Sequence, residues 1–161
     1  MANLAAVVGI GQTKYTTKRL DVSIAGLVRE AAVNALQDAD LTWNDIDAVI
    51  PGKAPDMFEG VIMPEAYLTD ALGCNGEPML RVHTAGSVGG STALVAASHV
   101  QSGMFRRVLT VTFEKQSESN AMWALSTPQP FSVHLNAGAG GYFAPIIREY
   151  MRRSKAPYNV G

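Results

Sequence analysis

The stretch Arg81 to Leu94, RVHTAGSVGGSTAL, constrains the fold more than any other part of the chain, because an apolar run enters a turn of small residues and leaves it as a helix-forming segment. Such a junction belongs to proteins that alternate strands and helices. The rest of the chain agrees. Leu4 to Ile10 is a short continuous apolar run ended by glycines, the pattern of a strand buried on both faces. Ser23 can cap a helix running to about Asp40, in which Ile24, Leu27, Val28, Ala31, Ala32, Ala35 and Leu36 recur at helical spacing. Ile46 to Ile50, stopped by Pro51 and Gly52, reads as a second strand and completes a parallel, right-handed β-α-β unit.

Met63 to Leu72, with Pro64 in its first turn and Gly73 beyond its end, predicts a short helix. Met79 to His83 is expected as a third strand, Thr84 to Gly90 as a turn and Ser91 to Val100 as an Ala-rich helix closed at Gly103. Arg107 to Phe113 is a fourth, β-branched strand. The expected fold is α/β and layered, with a mainly parallel sheet flanked by helices. Residues 114–136 break the pattern and exceed the ~12 to 15 residues of an ordinary loop, which suits a lid or an interface segment. A last helical segment, within Asn136 to Ser154, sets Ile146, Ile147, Tyr150 and Met151 against Arg148, Arg152 and Arg153, with Pro145 at its start or at a kink.

Composition excludes several functions. The chain has 161 residues, 47% of them hydrophobic and 17% charged, enough for one substantial core. A net charge of -1 provides no field for nucleic acid. The single cysteine, Cys74, rules out an internal disulfide, a CxxC pair and a multi-thiolate zinc site, and fits a reducing compartment. No histidine pair has ligand spacing, so no metal is expected. There is no signal-peptide pattern and no apolar run of membrane-spanning length, so a cytoplasmic protein is expected.

The candidate site follows from the junction. Ser87 falls at or just before the start of a helix, where unpaired N–H groups and the positive end of the dipole can stabilise developing negative charge. Gly89 and Gly90 let a ligand approach the backbone, and His83 ends the strand and can face the same pocket. One chemistry compatible with this turn is that of a serine esterase. Ala85-Gly86-Ser87-Val88-Gly89 approximates the G-x-S-x-G elbow, with Glu114 or Glu118 and then His134 in the required order, though the sheet beyond it is short for an α/β hydrolase.

A second chemistry comes with a resemblance. VVGIGQTKYT, REAAVNALQDADL, DIDAVI, GSTAL and TFEKQ together resemble the thiolase superfamily, in particular thiolases of the sterol-carrier or lipid-transfer type, also called acetyl-CoA acetyltransferases in bacteria. The likeness spans essentially the whole chain, and GSTAL, Gly90 to Leu94, is its most specific element. It implies the N-terminal half of a thiolase fold, with the C-terminal half and its acid/base residues outside residues 1–161. It also implies a coenzyme A thioester as substrate, no tightly bound cofactor, and a homo-oligomer.

In the family the nucleophilic cysteine lies three residues before the glycine of GSTAL, and here that position is Ser87. Cys74 lies thirteen residues earlier, in GCNGE, as an ordinary thiol. A serine hydroxyl, unlike a thiolate, needs a base to become a nucleophile. Three readings therefore stand beside the esterase. One is an acyl-CoA enzyme working by retro-aldol carbon–carbon cleavage, which needs a base and an oxyanion site but no acyl-enzyme. Another is a noncatalytic CoA-ester-binding or assembly subunit, and the third is a Ser87 nucleophile activated by a partner. Relatives lacking the cysteine are associated with steroid side-chain breakdown, and some pair with a small OB-fold protein, so a separate C-terminal half or an OB-fold protein is the implied partner.

Overall fold

A computed structural model of the chain describes residues 4–53, 60–115 and 138–155. Within the unit Met1–Glu118, Ser23 starts helix α1, Ile24–Asp38, by accepting the Gly26 N–H at 3.1 Å. The helix buries Val28, Ala32 and Leu36, one stripe at i, i+4, i+8. Strand β1, Ala48–Gly52, is buried along its whole length. It pairs in parallel with β2, Val108–Thr112, in a register running from Ala48 opposite Val108 to Gly52 opposite Thr112. Between them come the short helix α2, Pro64–Tyr67, and the long helix α3, Val88–Gln101.

Alternation along the strands builds three layers. Val49, Leu109 and Val111 face α1 and pack in one cluster with Val28, Ala32, Leu36, Leu68 and Leu72. Ile50, the next residue along β1, turns to the opposite face and meets Val82 and Ala96 of α3's side. The chain is thus α/β, with helices on both faces of a parallel sheet.

Several expectations are corrected. Leu4 to Ile10 forms no ladder, and among the described residues β2 pairs only with β1. Leu4 and Val7 are 85% and 84% exposed, and an apolar cavity of about 680 Å³ is lined by residues 4–11, by 106–112 and by alanines of α1 and α3. The segment is held by side chains of α1 instead: the Ile10 N–H donates to Asp38 Oδ2 at 2.9 Å, and Asn34 Nδ2 donates to the Gln12 carbonyl at 3.2 Å. It also lies so close to the alanine face of that helix that a Cβ on Gly11 would collide with the backbone of Ala31 and Ala35.

Pro51 does not stop β1 but lies within it. The consequence falls on the neighbouring segment 79–82, which touches β1 only through the bridges Val49 to Met79 and Gly52 to Val82. Val49 donates to Pro78 and Lys53 to Val82, whereas Pro51, the alternate residue between them, has no N–H to give. A continuous third strand is therefore interrupted. The predicted helix Met63 to Leu72 is helical only over Pro64–Tyr67, because the Thr69 hydroxyl donates to the carbonyls of Glu65 and Ala66, at 3.1 and 3.0 Å, and the chain continues in turns.

The second unit, Ser119–Gly161, contributes helix α4, Gly138–Ser154, which runs through Pro145 rather than starting there. On it Glu149 accepts from Arg152 at 2.7 and 2.8 Å and from Arg153 at 2.7 Å. Arg152 and then Arg153 draw its carboxyl down to about 2. The basic cluster is thus a solvated face with its own counter-charge. The segment 116–136, expected as a lid or interface, lies outside the described residues, as do Glu118 and His134.

Candidate functional site at the carboxyl edge of the sheet

The carboxyl ends of β1, β2 and segment 79–82 open toward the start of α3, the end of a parallel sheet at which α/β proteins bind ligands. A 3-10 turn, Ala85–Ser87, leads directly into α3. The helix begins earlier than the expected Ser91, so Gly89 and Gly90 belong to its first turn, where helix geometry leaves N–H groups facing outward. Ala85 adopts φ of 49°, a left-handed conformation unfavourable for a residue with a Cβ. Ser87 follows at φ -92° and ψ 5°, the sparsely populated bridge region in which many active-site residues sit.

Ser87 occupies the N-cap position without capping. Its hydroxyl donates backward to the Thr84 carbonyl at 2.7 Å, and Thr84 Oγ1 donates across the turn to Ser91 Oγ at 2.8 Å. His83, Ser87, Gly89 and Gly90 are all exposed, so the sequence-predicted site residues share one open turn. A Cβ placed on Gly86, Gly89 or Gly90 would meet nothing within 4 Å. There is space for a ligand against this backbone.

Cys74 takes no part. It is buried, its thiol donates weakly to the Leu72 carbonyl at 3.9 Å, and burial, with Glu77 nearby, raises its pKa to about 11. A thiol so placed is neutral and shielded at physiological pH. His99 packs on Phe105, ring centroids 5.7 Å apart, in the last turn of α3, away from its start. Among the described residues no three His, Cys, Asp or Glu side chains gather as a metal site, and no helix is long and apolar enough to cross a membrane.

The sequence reading missed Lys53. It follows β1 immediately and is 0% exposed, its ammonium 3.0 Å from Glu114 Oε2 and 5.7 Å over the Phe113 ring. Next along the chain, Lys115 donates to the carbonyls of Arg19 and Val22, at 2.8 and 2.7 Å, and so ties the end of β2 to the entry of α1. The signal was available: PGK ends one strand and FEK the strand that pairs with it in parallel.

No family model matches the chain. It is 29% identical over 117 residues to acetyl-CoA acetyltransferase of Methanothermobacter thermautotrophicus, covering 70% of this chain and 30% of that protein. It is also 37% identical over 91 residues to the chloroplastic beta-ketoacyl-[acyl-carrier-protein] synthase III of Arabidopsis thaliana, covering 55% and 22%. Among solved structures, 3-oxoacyl-[acyl-carrier-protein] synthase III from Aquifex aeolicus VF5 superposes with a TM-score of 0.52 at 23% identity, over 63% of this chain and 32% of that one. The Ltp2-ChsH2(DUF35) aldolase gives 0.62 at 23% identity, over 95% and 39%. The fold is thiolase-like. The thiolase-like relatives are longer than this chain, which spans 30% of the first of these curated proteins and 22% of the second.

Proposed function

We propose that the chain is the N-terminal part of a thiolase-like protein that handles acyl-CoA esters in lipid or sterol metabolism, in the cytoplasm, with the Ser87 turn as its reaction site. One observation carries this reading: Ser87 stands at the start of α3, in an open turn with the first-turn glycines Gly89 and Gly90 beside it. N–H groups there suit a thioester oxygen as it takes up negative charge.

Retro-aldol cleavage uses such a site without an acyl-enzyme. A base takes the proton of a β-hydroxyl, and the Cα–Cβ bond breaks as the hydroxyl carbon becomes a carbonyl. The electron pair passes through Cα to the thioester oxygen as an enolate, which is then protonated at Cα. The tethered Ser87 hydroxyl favours this route over an acyl-enzyme, since its proton goes to a backbone carbonyl. One structural relative is itself an aldolase named as a pair of proteins, which supports a partner subunit such as a small OB-fold protein. His83, exposed just after the bridged residue Val82, is the side chain proposed to contact substrate.

The test is turnover of acyl-CoA substrates by the full protein carrying Ser87→Ala. Retro-aldol chemistry predicts retained turnover and an acyl-enzyme predicts loss of roughly a thousandfold or more. The same tethered hydroxyl favours a second reading, a noncatalytic CoA-ester-binding subunit. Calorimetry with acyl-CoA in the absence of turnover would identify that case, and absence of binding would refute both. A serine esterase would instead be labelled at Ser87 by a fluorophosphonate.

A further inference from the structure

We infer that Lys53 and Glu114 are a positioning pair for the Ser87 turn, an inference that rests on reading that turn as the ligand site. A sealed ammonium paired with a carboxylate is a poor device for stability, since apolar residues of similar volume commonly hold a core as well or better. Its location supplies the reason for it. The Lys53 N–H donates to the Val82 carbonyl at 3.4 Å, and Phe113, whose ring lies under the ammonium, donates its N–H to the Gly52 carbonyl at 3.3 Å. Val82 is the last bridged residue before His83 and Thr84, so the turn enters from a residue bonded to Lys53.

The turn also leaves against the same place. A Cβ on Gly52 would collide with Thr92 Oγ1 and lie 3.2 Å from Val88 Cγ2, so the first turn of α3 rests directly on the residue before Lys53. Both anchors of residues 83–87, Val82 and Val88, therefore bear on Gly52 and Lys53. The Lys53–Glu114 bond of 3.0 Å then locks that point to the end of β2. Glu114 is 27% exposed while Lys53 is sealed, so the carboxylate side of the pair is the one near solvent. The pair fixes the spacing between the bridged segment 79–82 that leads to Ser87 and the helix that supplies Gly89 and Gly90.

The decisive variant is Lys53→Met with Glu114→Leu in the full chain, which removes both charges of the pair together. Thermal melting reports folding, amide exchange at Ser87 and Val88 reports the turn, exchange at Val28, Ala32 and Leu36 reports α1, and calorimetry reports acyl-CoA affinity. Melting close to the parent is expected, with unchanged exchange in α1, exchange at Ser87 and Val88 at least tenfold faster, and affinity at least tenfold weaker. Parent-like exchange at Ser87 and Val88 in this folded variant would overturn the inference. Should the double variant fail to fold, Glu114→Asp keeps both charges and withdraws the carboxylate by one methylene. At least threefold faster exchange at the turn alone is then expected, and unchanged exchange overturns the inference. If the parent protein binds no acyl-CoA, the proposed function fails while the exchange data still decide the coupling.

Discussion

Cys74 and Ser87 show how burial rather than residue type assigns a role. The thiol is intrinsically the better nucleophile, yet it lies in the core with its pKa raised to about 11, while the weaker hydroxyl stands in the open turn. Iodoacetamide at neutral pH is therefore expected to leave Cys74 unmodified in the native protein and to label it in denaturant. Rapid native labelling would contradict its burial. The raised pKa also sets a pH window. The protonated thiol is favoured in the folded state, so its contribution to stability is complete below the ordinary value of 9.0 and is lost as pH rises through about 11. A Cys74→Ala variant should lack that loss between those values. Gly52 is the second residue whose surroundings decide its identity. Gly52→Ala places a methyl against Thr92 Oγ1 and Thr112 Cγ2 and should cost about 1 to 3 kcal/mol in denaturant unfolding.

At the scale of elements, side-chain ties to backbone hold the ends of the pieces in place. Lys115 donates to two carbonyls in the loop that enters α1. Lys115→Met would leave both carbonyls short of a donor and should lower stability by about 2 to 4 kcal/mol, whereas a loss under 0.5 kcal/mol would show the tie to be dispensable. These ties also mark where sequence reading stopped. The α1 stripe, its Ser23 cap, the mainly parallel sheet and the placement of Ser87 at a helix start were legible, because periodicity, capping chemistry and strand–helix alternation are local. The state of Leu4 to Ile10 was not, since an apolar run reports its willingness to pair and not whether a partner edge is within reach. Segment 79–82 was misread for a related reason: the missing donor belongs to Pro51, on another strand. Lys53 was overlooked because a lysine after a turn looks solvated until its register opposite the FEK segment is known.

For the whole molecule, the edge of β2 left unpaired among the described residues and the exposed apolar segment 4–10 have a common consequence. Leu4, Val7, Val8 and Ile10 are all exposed, and with β2 they line one apolar cavity of about 680 Å³. Soluble proteins seldom leave such surface open, and a free strand edge beside it is a template for another chain. We predict that a second copy of this chain covers it, so that residues 1–161 self-associate at micromolar concentration. Light scattering after gel filtration should give a mass above that of one chain, and the melting temperature should rise with protein concentration. Replacing Leu4, Val7 and Val8 together by serine should shift the mass to that of a monomer while leaving the α1 and α3 signals intact, because none of the three lies in the buried clusters. A monomeric parent with a concentration-independent melting temperature would defeat the prediction. A parent whose association survives the triple substitution would move the contact to the exposed apolar face of α4, which carries Ile146, Ile147 and Tyr150.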